Sequence, residues 1–317
     1  MIEMKPNKKN LRKIIITTQL TNKNLQDNNQ NNEIYDRGEE GFKVYAKGMD
    51  GSQKEKAKIL PYIKKGKIAE MGCGNGAVLE ILSTAFQKSE ICGIDISDAM
   101  LEISMKRNYK HDNVIISKGD VREKTFGNNS LDTIIYCSTL HEVYSYSGYD
   151  KKVLRKTIQN TYEMLKPGGR LIIRDGVKPE NQIVYMGFNN KKTKEKFKRF
   201  AKEFGPYEIP YIWERDKAKL RSEDAMEFLS KYIYDINWDI EVKEQFGVYT
   251  KKEYADELKK LGFKVICNKS YLIKWLRVTH YEKDVKLYTK NNNKFKPRGF
   301  PHSTVIIVGE KPKEDRK

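Results

Sequence analysis

The stretch AEMGCGNGAV (69–78) places Gly72, Gly74 and Gly76 at alternate positions after an apolar run, with Glu70 just ahead of them. Glycine costs backbone entropy, so such a cluster implies that something must approach the backbone closely. Other reactive residues recur at intervals: Asp95 in GIDIS, Asp120 in KGDV, Cys137 and Ser138 in YCST, and then His141 and Glu142 in TLHEV. GCGNGA (72–77) can be scanned as G-x-G-x-x-A, a dinucleotide fingerprint. The third glycine comes one position early for it, and a carboxylate at position 70 would repel a pyrophosphate. No G-x-x-x-x-G-K-[ST] is present, which excludes a P-loop.

A negative group at position 70 attracts a cationic amine. A carboxylate at Asp95 can accept both hydroxyls of a ribose. Asp120 can accept from an adenine amino group, with Cys137 and Ser138 beside the same ligand. An ammonium, a ribose and an adenine without a phosphate describe S-adenosyl-L-methionine (SAM).

These residues need strand ends to hold them. KIAEMG (67–72), EICGIDIS (90–97), NVIISKGD (113–120), SLDTIIYCST (130–139) and GRLIIRDG (169–176) read as strands. Residues 77–88, 98–108 and 150–166 read as intervening helices, with Ser97 as an N-cap and Pro167, Gly168 and Gly169 closing the third. Alternating strands and helices predict an α/β fold, a doubly wound sheet. In open sheets of this kind ligands bind outside the carboxyl ends of the strands, where each acidic or glycine cluster falls.

At this point the chain resembles the class I SAM-dependent methyltransferases. The matching residues are EMGCGNG (70–76), IDIS with Met100 and Leu101, KGDV (118–121), LDTIIYCSTLHEV (131–143) and LKPGGRLII (165–173). The resemblance implies a mostly parallel seven-stranded sheet with an antiparallel last strand, plus a cap. It implies SAM as cofactor, with Glu70 at the methionine end and Gly72, Cys73 and Gly74 in the loop. Asp95, Ile96 and Met100 would lie around the ribose, Asp120 and Val121 at the adenine, and Cys137 and Ser138 alongside. TLHEV is similar to the L-H-D stretch of small-molecule O-methyltransferases, in which the histidine is the base. That makes His141 the candidate base, with Glu142 a second catalytic candidate in place of the aspartate. The alternative for His141 is packing against the following helix. Arg174 and Asp175 read as a solvated ion pair or as substrate contacts.

The rest of the chain bounds the partners. Of its 317 residues, 61 are Lys or Arg against 43 acids, a formal charge of +18. That charge is consistent with RNA binding or with a Lys- and Asn-rich coding bias. Four scattered cysteines without C-x-x-C fit a reducing, cytoplasmic setting and no zinc site. No His/Asp/Glu spacing indicates a metal, and no apolar run approaches a membrane span. Residues 1–50 are polar and weakly periodic, an N-terminal lid that is partly disordered around 22–33. A SAM-binding core is expected over 51–178, opening with a short helix at 52–64 that Pro61 interrupts. A cap or substrate insertion follows at 179–248, and closing elements at 249–311 hold a helix, two strands and a second insertion at 274–302. Residues 312–317 form a tail. In the cap, 191–204 is a basic helix. Its aromatics (Phe197, Phe200 and Phe204, with Tyr185, Phe188, Tyr207, Tyr211 and Trp213 around it) read as the cover of a hydrophobic pocket, or else as base-stacking groups. A small-molecule hydroxyl acceptor is the reading adopted. RNA methylation through Lys194, Lys196, Lys198 and Arg199, or a NAD-binding oxidoreductase, are the alternatives.

Overall fold

The computed structural model describes residues 37–313. Helix α1 spans Gly38–Gly51 and α2 spans Gln53–Lys56, continued by a 3-10 turn over Ala57–Tyr62. The core then alternates: β1 Lys67–Met71, α3 Ala77–Ala85, β2 Glu90–Asp95, α4 Asp98–Lys106, β3 Val114–Lys118 and β4 Leu131–Cys137. The short α5 (Leu140–Ser145), α6 (Lys151–Met164) and β5 (Leu165–Gly176) complete it. An insertion contributes β6 Ile183–Phe188, α7 Lys191–Glu203, β7 Ile212–Glu214, β8 Lys217–Arg221, α8 Ser222–Lys231 and α9 Trp238–Glu241. The chain closes with α10 Lys251–Lys260, β9 Lys264–Tyr271, the hairpin β10 Val285–Asn291 and β11 Lys294–Arg298, and β12 Thr304–Glu310.

The main sheet has the order β3-β2-β1-β4-β5-β12-β9. Its first five strands pair in parallel, and β12 runs antiparallel to both β5 and β9. The expected seven-stranded, mostly parallel sheet with an antiparallel last strand is therefore what the chain forms. Apolar residues occupy both pleats. Met71, Ile94, Tyr136 and Ile173 pack against α5, α6 and α10. Ile68, Ile91, Ile135 and Ile172 pack against α3, α4 and the 3-10 turn. Strands covered on both faces read as continuous apolar runs, which is why these were visible in the sequence.

Several boundaries differ from expectation. Residues 38–51, within the stretch read as weakly periodic, form a helix, with Phe42, Tyr45 and Met49 in the wall of a cavity. The expected disorder at 22–33 lies outside the described residues. The 52–64 helix becomes a short α-helix and a 3-10 turn that carries Pro61. The 150–166 helix stops at Met164 and the strand begins at once, because Pro167 cannot continue a helix and the extended chain pairs Leu165 with Leu131.

The largest difference is in the two insertions. They are not irregular excursions but share a five-stranded antiparallel sheet of order β11-β10-β6-β8-β7. Phe197 and Phe200 of α7, with Phe228 and Leu229 of α8, pack on Val184, Met186, Leu220 and Leu287 to give this unit its own core. The aromatics read as a pocket cover thus belong mostly to that core, and none of the eight lines the cavity. Their i, i+3 spacing is that of a helix face packed on a sheet.

Candidate active site

The glycine turn answers to backbone geometry first. Gly72, Gly74 and Gly76 have φ of +79°, +50° and +78°, the left-handed region that side chains disfavour. A Cβ on Gly72 would also lie 2.4 Å from the Thr139 side chain, and one on Gly74 2.4 Å from Met49 Cε. The loop is tied to β2: Gly72 N–H and Cys73 N–H donate to the Ile94 carbonyl at 2.7 and 2.9 Å, and Gly74 N–H donates to Asp95 Oδ2 at 2.7 Å. Asp95 Oδ1 accepts from Ser97 N–H at 2.9 Å. The Asn75 amide donates to Ala46 O and Asp50 Oδ1, both at 3.1 Å, which holds α1 over the loop.

Above the strand ends lies a cavity of about 750 Å³. Gly72, Gly74, Asp95, Ile96, Met100, Asp120, Val121, Cys137 and Ser138 line it together with His141 and Glu142, so most of the residues singled out in the sequence converge there. Two do not. The Cys73 side chain turns down into the core under the loop, and burial raises its thiol well above the usual value. Glu70 also lies behind the wall. Its Oε2 is buried without a hydrogen-bond partner among the described residues. Burial pushes its carboxyl well above the normal range, with Lys56 opposing and Asp95 adding to the shift. A partnerless buried carboxyl oxygen beside the loop fits an incoming ammonium group. Asp120 is gripped by the Arg122 guanidinium, at 2.6 Å from Nη2.

At the other end, Ser138 takes φ +61° and donates its N–H to Arg174 O, which turns the chain into α5. Arg174 and Asp175 are both buried, and the solvated ion pair expected of them does not form. Arg174 Nη1 donates to Ser138 Oγ at 3.1 Å. Asp175 Oδ2 accepts from Leu140 N–H at 2.8 Å and His141 N–H at 3.2 Å, and so caps α5. Its Oδ1 lies 2.6 Å from His141 Nδ1. The carboxylate that orients the imidazole is therefore Asp175, while Glu142 accepts from the Tyr45 hydroxyl at 3.2 Å.

Several groups in this chamber carry no local signal in the sequence that places them there. Glu244 Oε2 lies 3.5 Å from His141 Nε2, and Glu244 Oε1 accepts from the Tyr146 hydroxyl at 2.7 Å. Arg37 Nη1 is 2.9 Å from Glu241, and Arg37 Nη2 is 3.6 Å from Glu244. The Phe246 ring packs 4.6 Å from the imidazole. Burial alone would lower the His141 pKa, but Asp175 and Glu244 outweigh it and raise it well above the usual value. Burial, with Glu244 nearby, lifts Glu142 to about 8 and Glu241 to about 7. His141, Glu142 and Glu244 offer ligand atoms within 4.8 Å of one another and could hold an ion, although no spacing in the sequence indicated a metal. The i, i+3 pair Glu241 and Glu244 was the available signal, but nothing local says that it faces position 141.

Residues 69–171, which carry this loop and the first five strand ends, match the family described as a methyltransferase domain. Over these residues the chain carries a methyltransferase domain. SAM is the cofactor of that family. Among curated relatives, a demethylmenaquinone methyltransferase of Symbiobacterium thermophilum is 26% identical over 49% of this chain and 62% of its own length. A malonyl-[acyl-carrier protein] O-methyltransferase of Priestia megaterium is 32% identical over 33% of this chain and 35% of its own length. The chain thus spans about a third to three-fifths of these two relatives. The solved S-adenosylmethionine dependent methyltransferase of Mesorhizobium loti shares the fold, with a TM-score of 0.50 and 13% identity over 83% of this chain and all of its own. Among the described residues no helix is long and apolar enough to cross a membrane.

Proposed function

We propose that this methyltransferase transfers a methyl group from SAM to the hydroxyl of a small molecule held in the chamber under α1 and the insertion. The observation that carries the reading is the Asp175–His141 pair, with Nδ1 held at 2.6 Å and Nε2 turned into the chamber. When bound, SAM supplies the methyl group at a sulfonium carbon. The protein's part is to position the acceptor and take its proton. Glu70 attracts the ammonium from behind the cavity wall, directly or through water, while Asp95 meets the ribose and Asp120 with Val121 the adenine. Cys137 and Ser138 flank the donor end, and Asp175 holds Nδ1 so that Nε2, which faces Glu244 across 3.5 Å, is the nitrogen turned to the acceptor. Residues 37–51, 179–248 and 274–302 act as the cap that selects the acceptor. The glycine loop and strand ends of 51–178, closed by 249–311, act as the cofactor domain.

The rival reading, an RNA acceptor gripped by the basic helix, is less well supported. Lys196 is paired with Asp235, Lys198 lies 2.9 Å from Glu195 and Arg199 2.9 Å from Glu203, so these cations are already met from within. Incubation with radiolabelled SAM and fractionated cell extract tests the choice. Label is expected in small metabolites, as base-stable methyl ethers. Label confined to RNA would overturn the small-molecule reading.

A further inference from the structure

The insertion sheet has two faces of opposite character. One buries Val184, Met186, Ala218, Leu220 and Leu287 against α7 and α8. Period-two alternation turns the intervening side chains of β6, β8 and β10 the other way. These include Tyr185, Lys217, Lys219, Tyr288 and Lys290, and the register Lys290↔Phe295 brings Phe295 to the same face. Three aromatic rings therefore meet across three neighbouring strands. The Phe295 ring lies 5.1 Å from Tyr185 and 6.3 Å from Tyr288. Gly187 sits beside them, buried, where a Cβ would come 3.4 Å from Tyr288 Cε2.

Cations surround the rings. Lys217 Nζ is 4.9 Å from the Phe295 centroid and 5.0 Å from that of Tyr288, while Arg215 approaches Phe295 at 5.7 Å. Two acids answer them, Glu214 on Lys290 and Asp216 on Lys217. Among the described residues no carboxylate lies within 4 Å of the Lys219 or Lys286 ammonium. Cross-strand ring contacts stabilise a sheet in themselves, and Tyr185 is buried, but Phe295 and Tyr288 are only half-buried and keep part of their surface at this face. Rings combined with excess lysine match a ligand that has both π-faces and negative charge.

We propose that this face binds single-stranded nucleic acid, with bases stacked on Phe295 and Tyr288 and phosphates held by Lys219 and Lys286. The site is separate from the methyl-transfer chamber, whose wall contains none of these residues. A duplex presents no free base faces to the rings, and a purely electrostatic polyanion site would not use them.

The test uses the full chain and a fluorescein-labelled oligouridylate of roughly 12 nucleotides, within the span such platforms cover. Fluorescence anisotropy is followed across a sodium chloride series. The logarithm of affinity should fall linearly with the logarithm of salt. Phe295→Ala should weaken binding about 10- to 100-fold and leave the salt slope unchanged, because stacking carries no charge. Lys219→Gln and Lys286→Gln should each flatten the slope by about 0.7. Unchanged affinity for S-adenosylhomocysteine shows that each variant is folded. The proposal is overturned if the oligomer does not bind at low salt, or if Phe295→Ala binds as wild type. It is equally overturned if a duplex binds as tightly, or if anionic phospholipid vesicles bind while the oligomer does not.

Discussion

Replacing Asp95 by asparagine separates two jobs that one carboxylate performs. Its Oδ2 accepts from Gly74 N–H at 2.7 Å and its Oδ1 from Ser97 N–H at 2.9 Å. An amide has a single oxygen, so one of these N–H groups is left facing an NH₂. An unsatisfied buried donor costs about 1–3 kcal/mol, and the variant should lose stability by that amount in urea or heat. The proposed ribose contact is lost with it. A hydrogen bond to a charged group is worth about 1.5–3 kcal/mol, so affinity for S-adenosylhomocysteine should fall roughly 10- to 150-fold. Calorimetry with the natural ligand and its 2′-deoxy analogue isolates that contact. Wild type should discriminate against the analogue, and the variant should scarcely do so. If the variant binds within about twofold of wild type, or if both proteins reject the analogue equally, the ribose role of Asp95 is wrong and only its bracing of the glycine loop survives.

Glu70→Gln should weaken S-adenosylhomocysteine binding by about tenfold or more. A carboxyl pushed upward must lose its proton to meet an ammonium, so wild-type affinity should tighten as pH rises through that raised value. The variant's affinity should stay flat, and isothermal titration across pH checks both. His141→Ala should lower turnover about 10²- to 10⁴-fold while cofactor affinity stays within about twofold. A base acts when neutral, and His141 is held protonated above its usual range, so the acid limb of kcat/KM should lie well above pH ~6.5. Asp175→Asn should move that limb down. Gly72→Ala forces a side chain into φ +79° and against Thr139, and should cost about 2–4 kcal/mol. Gly127→Ala, with nothing within 4 Å of the added carbon, should be near neutral, as denaturant melts of both will show. Dialysis against EDTA should leave turnover unchanged, because Arg37 and His141 already balance Glu241 and Glu244. A loss restored by added divalent ion would make the His141–Glu142–Glu244 cluster a metal site.

What could be read from the chain alone was whatever is local or periodic. The strands of the main sheet are buried on both faces, so each is an unbroken apolar run, and the turns after them are written in glycine and acid. The loop at 72–76, Asp95 and Asp120 all follow from neighbours within a few residues, and so does the start of α10, where Thr250 and Glu253 form a reciprocal capping box. The chamber was decided only by the tertiary structure. Glu244 reaches His141 from the insertion, Arg37 reaches Glu241 from ahead of α1, and Asp175 meets His141 because β5 lies beside β4. The second sheet was hidden for the same reason: its strands come from two insertions far apart in sequence, and their pairing leaves no periodic mark across that gap. Contacts of that kind depend on how elements dock, and docking is fixed by the sum of buried surface over the whole fold, which no single stretch of residues records.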